Sequence, residues 1–253
     1  MPAPLTTPAI VLRSWSFGES DKIVSFLTES HGKLRGIAKG AKRSRKRFAN
    51  SLEPFSLVNL RFLDRTAGLV FIQGCELVQV FKRLTATLDK IAHASYFTEL
   101  ADVLSNERDE NPALFAHVRN GLAFLDANET SEVAIAYFEL KLLSLSGYQP
   151  GLDHCRRCRA GWRGNAGRWN FSLRDGGVLC PGCSAFRREV APLSPSALEF
   201  MEELERANGE FPVHLSSFPA DARREGHLAL LRFIQYQIGK ELKSAPFLDA
   251  FST

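Results

Sequence analysis

Phe55-Ser56-Leu57-Val58-Asn59-Leu60-Arg61-Phe62 decides how the N-terminal third folds. Val58, Leu60 and Phe62 alternate with Asn59 and Arg61, the period-two pattern of a strand with one face in a core and the other in water. Outward from it lie further short β-rich runs: Ile10-Val11-Leu12, Lys22 to Leu27, Leu34 to Ala38, and Leu69 to Val80. Gly18, Gly32, Gly36, Gly40, Pro54 and Gly68 punctuate them. Some five strands with no long helix between them predict a small barrel over residues 1–80. An OB-fold meets that count, and an SH3-like barrel reads the same way at this level.

Beyond residue 81 the apolar period becomes helical. Leu84, Leu88, Ile91 and Ala92 open one amphipathic run that continues to Leu104. Asn111-Pro112 reads as an N-cap followed by proline at the first helical position, with Leu114, Phe115, Val118, Leu122 and Leu125 on one face. Ser131 caps a third helix, closed by Gly147, whose residues from Val133 to Leu145 are apolar almost all round. It is expected at the centre of a helical domain. Ser194-Pro195 opens a fourth, and Leu228, Leu231, Ile234, Ile238 and Leu242 mark a last one. The expected architecture is multi-domain α+β: a barrel over 1–80, then a helical domain over 81–253 with an insertion at 151–190. Asn106 to Glu110 reads as a solvated helix connection.

The insertion holds Cys155-Arg156-Arg157-Cys158 and Cys180-Pro181-Gly182-Cys183. Two residues between cysteines turn the backbone back on itself, so both sulfurs face one point and a second pair completes a tetrahedron. Zn2+ suits four thiolates, and with four protein ligands the site is closed, hence structural. A rubredoxin-like iron site would use the same ligands. His154 adjoins the first ligand and reads as a support for it. Cys75, alone in the last barrel strand, reads as a buried thiol.

Charge is uneven along the chain. Residues 1–80 carry a net +6 and residues 151–190 a net +5, while the segments between and after them are acidic. Between Glu29 and Glu53 no acidic residue occurs, yet Lys33, Arg35, Lys39, Lys42, Arg43, Arg45, Lys46 and Arg47 fall there, with Phe48 at the end. Such a cluster binds phosphates by releasing their counterions. Beside an open barrel face it would make a channel for single-stranded DNA, with Trp15, Phe17, Phe26 or Phe48 available to stack on bases. RNA satisfies the same charge argument. In the insertion, Arg156, Arg157, Arg159, Arg163, Arg168 and Arg174 with Trp162, Trp169 and Phe171 offer a second contact surface. A solvated basic loop with no partner is the competing reading.

The sequence lacks HExxH, Walker A, GxGxxG and GxSxG motifs, so no catalysis is expected. A nucleic-acid-modifying enzyme with a zinc ribbon, or a zinc-stapled adaptor that binds only proteins, are the alternatives. No basic n-region precedes an apolar core at the N-terminus, and no apolar stretch approaches membrane length. A cytoplasmic protein with no membrane partner is expected.

Three stretches carry a resemblance. Val11-Leu12-Arg13, Phe17-Gly18-Glu19-Ser20-Asp21-Lys22-Ile23-Val24 and Thr28 through Arg43 resemble the N-terminal domain of the RecO family of bacterial recombination mediators. Glu139 through Leu143 and Ser146 through Cys155 are similar to that family's central helix and zinc motif, and Leu242 through Leu248 to its C-terminal signature. The resemblance implies an OB barrel and a helical domain with an inserted zinc finger. It also implies single- and double-stranded DNA as partners, annealing of complementary strands, work with RecR in loading RecA onto SSB-coated DNA, and a place at the nucleoid. By position, Lys39, Lys42, Arg43, Arg45, Lys46 and Arg47 would contact phosphates, and Cys155, Cys158, Cys180 and Cys183 would bind zinc.

Overall fold

The computed structural model describes residues 3–44, 46–64, 68–164, 167–207 and 209–249. Strands β1 (Leu5–Phe17), β2 (Asp21–Thr28), β3 (Lys33–Ala38), β4 (Leu57–Leu63) and β5 (Val70–Gln79) close into a barrel in the order β1-β2-β3-β5-β4. Closure depends on the length of β1. Leu5 to Ile10 pair with β4, Ala9 to Phe17 pair with β2, and the register shifts between Val11 and Arg13. A bulge there bends one strand so that it serves two neighbours. Opposite, β3 meets β5 in a short parallel pairing, Gly36 with Val70 and Ile37 with Phe71. This Greek-key closure selects the OB-fold over the SH3-like alternative. Val58, Leu60 and Phe62 point inward, with Val11, Val24, Phe26 and Ile72. Phe55, expected in the strand, instead precedes it at φ +70°, in the turn where its amide donates to the Val11 carbonyl.

Contacts group the chain into two compact units, Met1–Glu129 with Lys243–Thr253, and Thr130–Leu242. Sequence period alone put a boundary after residue 80. The first unit extends past it because helix α1 (Leu88–Leu104) is bonded to the barrel: Ser25 Oγ donates to Asp102 at 2.7 Å, and Lys33 Nζ donates to the Asp102 carbonyl. Thr87 caps α1, and Asn111 caps α2 (Pro112–Ala127), the expected cap-then-proline signal. Asn106 to Glu110 are all exposed, as expected of a solvated connection, and the segment is also tied to the barrel. The Arg108 amide donates to the Lys33 carbonyl, and its guanidinium sits 2.6 Å from Asp64. Gly32 makes that approach possible. It sits at φ +62°, and a Cβ there would come within 2.3 Å of the Asp109 carbonyl oxygen. The C-terminal signature is held to α1 by Glu99, whose carboxylate accepts from the Lys243 and Ser244 amides at 3.0 and 2.8 Å.

In the second unit, α3 (Glu132–Leu145) is buried almost all round, as its composition requires. Helices α5 (Pro195–Arg206) and α6 (Ala220–Ile238) pack with it. The buried face of α6 is Ala222, Gly226, Ala229, Leu230, Phe233 and Ile234. Leu228, one of the apolar residues that marked this helix in sequence, is exposed, while Gly226 lies on the packed face. A Cβ on Gly226 would lie 3.1 Å from Phe200 and 3.2 Å from Met201. The insertion contains an antiparallel sheet that its Gly- and Arg-rich composition hid: β7 (Gly177–Leu179), β6 (Trp169–Ser172) and β8 (Val190–Leu193), in that order. A short α4 (Pro181–Ser184) follows β7. Helix α7 (Ala245–Asp249) ends the described chain, within the first unit. Among the described residues no helix is long and apolar enough to cross a membrane.

Candidate nucleic-acid interface and metal centre

The basic segment between β3 and β4 looks flexible in sequence but is fastened to the barrel. The Gly40 amide donates to Asp21 Oδ1 at 2.8 Å, the Lys42 amide to the Ser20 carbonyl at 3.0 Å, and the Cys75 amide to the Arg47 carbonyl at 3.1 Å. A short 3-10 turn spans Ala41–Arg43. Phe48 then drops into the barrel core, with only 4% of its surface exposed; burying such a side chain stabilises by roughly 1.5–3 kcal/mol. The loop's side chains point the other way. Lys39, Lys42, Arg43, Lys46 and Arg47 are exposed, and none forms an ion pair among the described residues. Lys42 Nζ donates to the Gly18 carbonyl and Arg47 to the Lys39 carbonyl, both at 2.9 Å. Carbonyl acceptors orient a cation without cancelling its charge. The Gly40 amide, with Ser20 and the charges of Lys39 and Lys42, holds the Asp21 carboxyl below the usual range.

Other expected contacts fall elsewhere. Lys33 is 6% exposed and braces β3 against α1, so its ammonium does not reach the surface. Arg35 is exposed and lies 3.2 Å from Glu107. Arg45 lies outside the described residues. Of the aromatics offered as stacking partners, Phe26 and Phe48 are core, while Trp15 and Phe17 are 40% and 51% exposed. Phe17 is the chain neighbour of Gly18, to which Lys42 is bonded, and Arg13 lies 5.8 Å from the centre of the Trp15 ring.

Sequence reasoning missed a groove of about 590 Å³ on the outer face of the barrel. Thr6, Asn59, Arg61 and Gln73 supply its wall, with Lys46 and Arg47 as cations and Glu76 as the one carboxylate among its described lining. The signal was present in the alternation of β4, whose outward positions are Asn59 and Arg61. Cys75 lines the groove yet is buried, and burial pushes its thiol up to about 12, so it is neutral and unreactive.

In the second unit, the sulfurs of Cys155, Cys158, Cys180 and Cys183 all lie within 4.8 Å of one another, with 3.6 Å between Cys158 and Cys180. Tetrahedral thiolates about 2.3 Å from a common ion stand about 3.8 Å apart, so the cluster has the dimensions of a metal site. Each pair sits on a tight turn: the Arg159 amide donates to the Cys155 carbonyl, and the Cys183 and Ser184 amides to that of Cys180. Burial raises the Cys155 thiol, but amides of Cys158, Cys180 and Arg157 outweigh it and bring it down to about 6. Hydrogen bonds with Cys180 and Cys158 push Cys183 up to about 12. Cys155 ionises readily while Cys183 resists, so a central cation is what would draw the quartet into the thiolate form. His154 stands outside the quartet, with Nδ1 2.6 Å from Asp153.

The insertion is bolted to the helices around it. Buried Glu202 on α5 accepts from Trp162 Nε1 at 3.0 Å and from Arg206 at 3.0 Å, and it also binds Arg163. Phe171 meets Phe233 of α6 edge-on at 5.3 Å. Trp162, Trp169 and Phe171, offered as base contacts, are therefore core. Arg157 is paired with Asp175, Arg163 with Glu202 and Arg168 with Glu225.

Fold and site together define a class: a basic Greek-key barrel followed in the chain by a helical unit whose insertion gathers four cysteines at metal-site dimensions. Residues 1–81 match the family model described as Recombination protein O N terminal, and residues 85–246 match Recombination protein O C terminal. Similar proteins named DNA repair protein RecO occur in Syntrophus aciditrophicus (34% identical, covering 96% of this chain and 94% of the relative) and Myxococcus xanthus (34%, covering 95% of each). One from Geobacter sulfurreducens is 34% identical over 97% of each chain. The chain belongs to the RecO family.

Proposed function

We propose that this chain is a DNA-repair mediator that binds single- and double-stranded DNA through its barrel and catalyses no reaction of its own. The observation that carries the reading is the set of exposed cations Lys39, Lys42, Arg43, Lys46 and Arg47, on a loop held by main-chain bonds and with no ion pair among the described residues. Arg35 joins them by exchanging a surface pair with Glu107, worth under about 1 kcal/mol, for a phosphate. Trp15 and Phe17 supply rings for bases, and the Arg61 groove extends the basic track. Neutralising phosphates on two strands lowers the repulsion that slows their pairing, which is how the protein would anneal complementary strands. The family resemblance supports the further steps: work with RecR in loading RecA onto SSB-coated DNA, in the cytoplasm at the nucleoid.

The cysteine quartet would hold one Zn2+, with all four ligands supplied by the chain and no position open for a substrate, so it acts as a brace. Metal analysis that finds iron, or no metal, refutes this assignment. For the function, the deciding measurement is the salt dependence of binding to single- and double-stranded oligonucleotides. A steep decrease of log affinity with log salt supports the reading, with a slope that grows with each phosphate contacted. Absence of salt-dependent binding points to a protein-only adaptor, and cleavage or modification of labelled strands points to an enzyme.

A further inference from the structure

We propose that Phe186, flanked by Arg174, Arg187 and Arg188, forms a second seat for single-stranded DNA, on the cysteine-bearing insertion. The proposal rests on the reading above that the chain binds DNA, and assigns it a contact far along the sequence from the barrel loop. Phe186 is 99% exposed, whereas Trp162, Trp169 and Phe171 of the same insertion are buried. The insertion thus fills its core with three aromatic rings and holds the fourth wholly in solvent.

Phe186 is also held in place. It lies two residues beyond α4, whose Cys183 and Ser184 amides bond to the Cys180 carbonyl. The Arg187 amide donates to the Ser184 carbonyl at 3.0 Å, and on the far side the Leu173 amide donates to the Glu189 carbonyl at 3.0 Å. The turn is thereby bracketed between a cysteine knuckle and β6. A ring presented on such a turn loses little freedom when it is covered.

What covers it follows from its surroundings. Arg174 and Arg188 are exposed and have neither an ion pair nor a hydrogen bond among the described residues. With Phe186, Arg187, Asp175 and Glu189 they rim a shallow cavity of about 250 Å³, in which arginines outnumber carboxylates and Asp175 is already paired with Arg157. That is below the roughly 300 Å³ at which small-molecule pockets begin. An apolar peptide side chain needs walls around it. A nucleobase needs only a flat face to stack on and cations for the phosphates either side, which this surface offers. A chain with two separate seats can hold two strands at once, as pairing them requires.

The test uses the full chain and an oligothymidine carrying one 5-iododeoxyuridine. Irradiation should crosslink the strand to the peptide containing Phe186 as well as to barrel peptides. Phe186→Ala should weaken single-strand binding about fivefold, with Phe186→Tyr retaining it. Arg174→Glu with Arg188→Glu should lower the salt slope by about two. Metal content and melting temperature, unchanged in each variant, show that the insertion remains folded. Crosslinks confined to barrel peptides, with Phe186→Ala binding as wild type, overturn the second seat and leave the proposed function standing. Wild-type protein that binds no oligonucleotide overturns both. An acidic peptide that protects Phe186 while oligothymidine does not would assign the surface to a protein partner, which also overturns the seat.

Discussion

The barrel loop and the cysteine-bearing insertion carry almost the same surplus charge, +6 over residues 1–80 and +5 over residues 151–190, but they use it differently. In the loop, Lys42 and Arg47 bond to carbonyl oxygens, and their charge stays available to a partner. In the insertion, Arg157, Arg163 and Arg168 are taken up by Asp175, Glu202 and Glu225, and the exposed Arg174 and Arg188 have no ion pair among the described residues. Aromatics divide the same way: Phe48 anchors the loop and Trp162 anchors the insertion, leaving Trp15, Phe17 and Phe186 outside. Net charge therefore misjudges binding capacity, which depends on how many cations lack a carboxylate of their own.

The sharpest test of this contrast is charge reversal in the loop. Changing Lys39, Lys42, Arg43 and Lys46 to Glu should abolish DNA binding at moderate salt with only a small decrease in melting temperature, since what is lost is the exposed Lys42–Gly18 bond and the favourable charges beside Asp21. The salt slope should decrease by about four. Cys158→Ser should act in the opposite sense, releasing metal and destabilising the second unit by on the order of 4 kcal/mol, while the barrel still binds DNA. Metal analysis with chemical denaturation reads both effects. Glu202→Ala should cost about 2–3 kcal/mol, because Trp162 Nε1 and two arginines lose a buried acceptor. Should it cost nothing, the insertion is not braced by α5.

The smallest expected effect concerns pH. Asp21 and Asp64 are both held below the usual carboxylate range, Asp21 first by the Gly40 amide and Asp64 first by Arg108. Their contribution is present above the unfolded value of about 3.9 and is lost as pH falls through the lowered folded values. A modest acid loss in the first unit should follow, reduced in Asp21→Asn. An identical acid profile for that variant would show that the loop is not tethered through Asp21.

Much of this was legible in advance. Alternation at Val58, Leu60 and Phe62 marked β4, Asn111-Pro112 marked the start of α2, and the cysteine spacing marked the metal cluster, because each is a signal within one stretch of chain. Where the reading departed from the structure, the deciding group was distant in sequence. Lys33 looked like a surface cation until Asp102 met it, and Trp169 like a base contact until the insertion folded around it. On α6, Gly226 rather than Leu228 marks the packed face, since close approach of Phe200 and Met201 favours the smallest residue.

The sequence by itself determined the barrel strands, the long helices and their order, the four cysteines and the basic strip; local periodicity, capping and spacing suffice for these. Tertiary structure alone decided the barrel closure through the bent β1, the joining of α1 and α2 to the barrel's unit, and which cations remain unpaired. Those depend on side chains brought together from tens of residues apart, and only the folded chain sets which charge meets its partner.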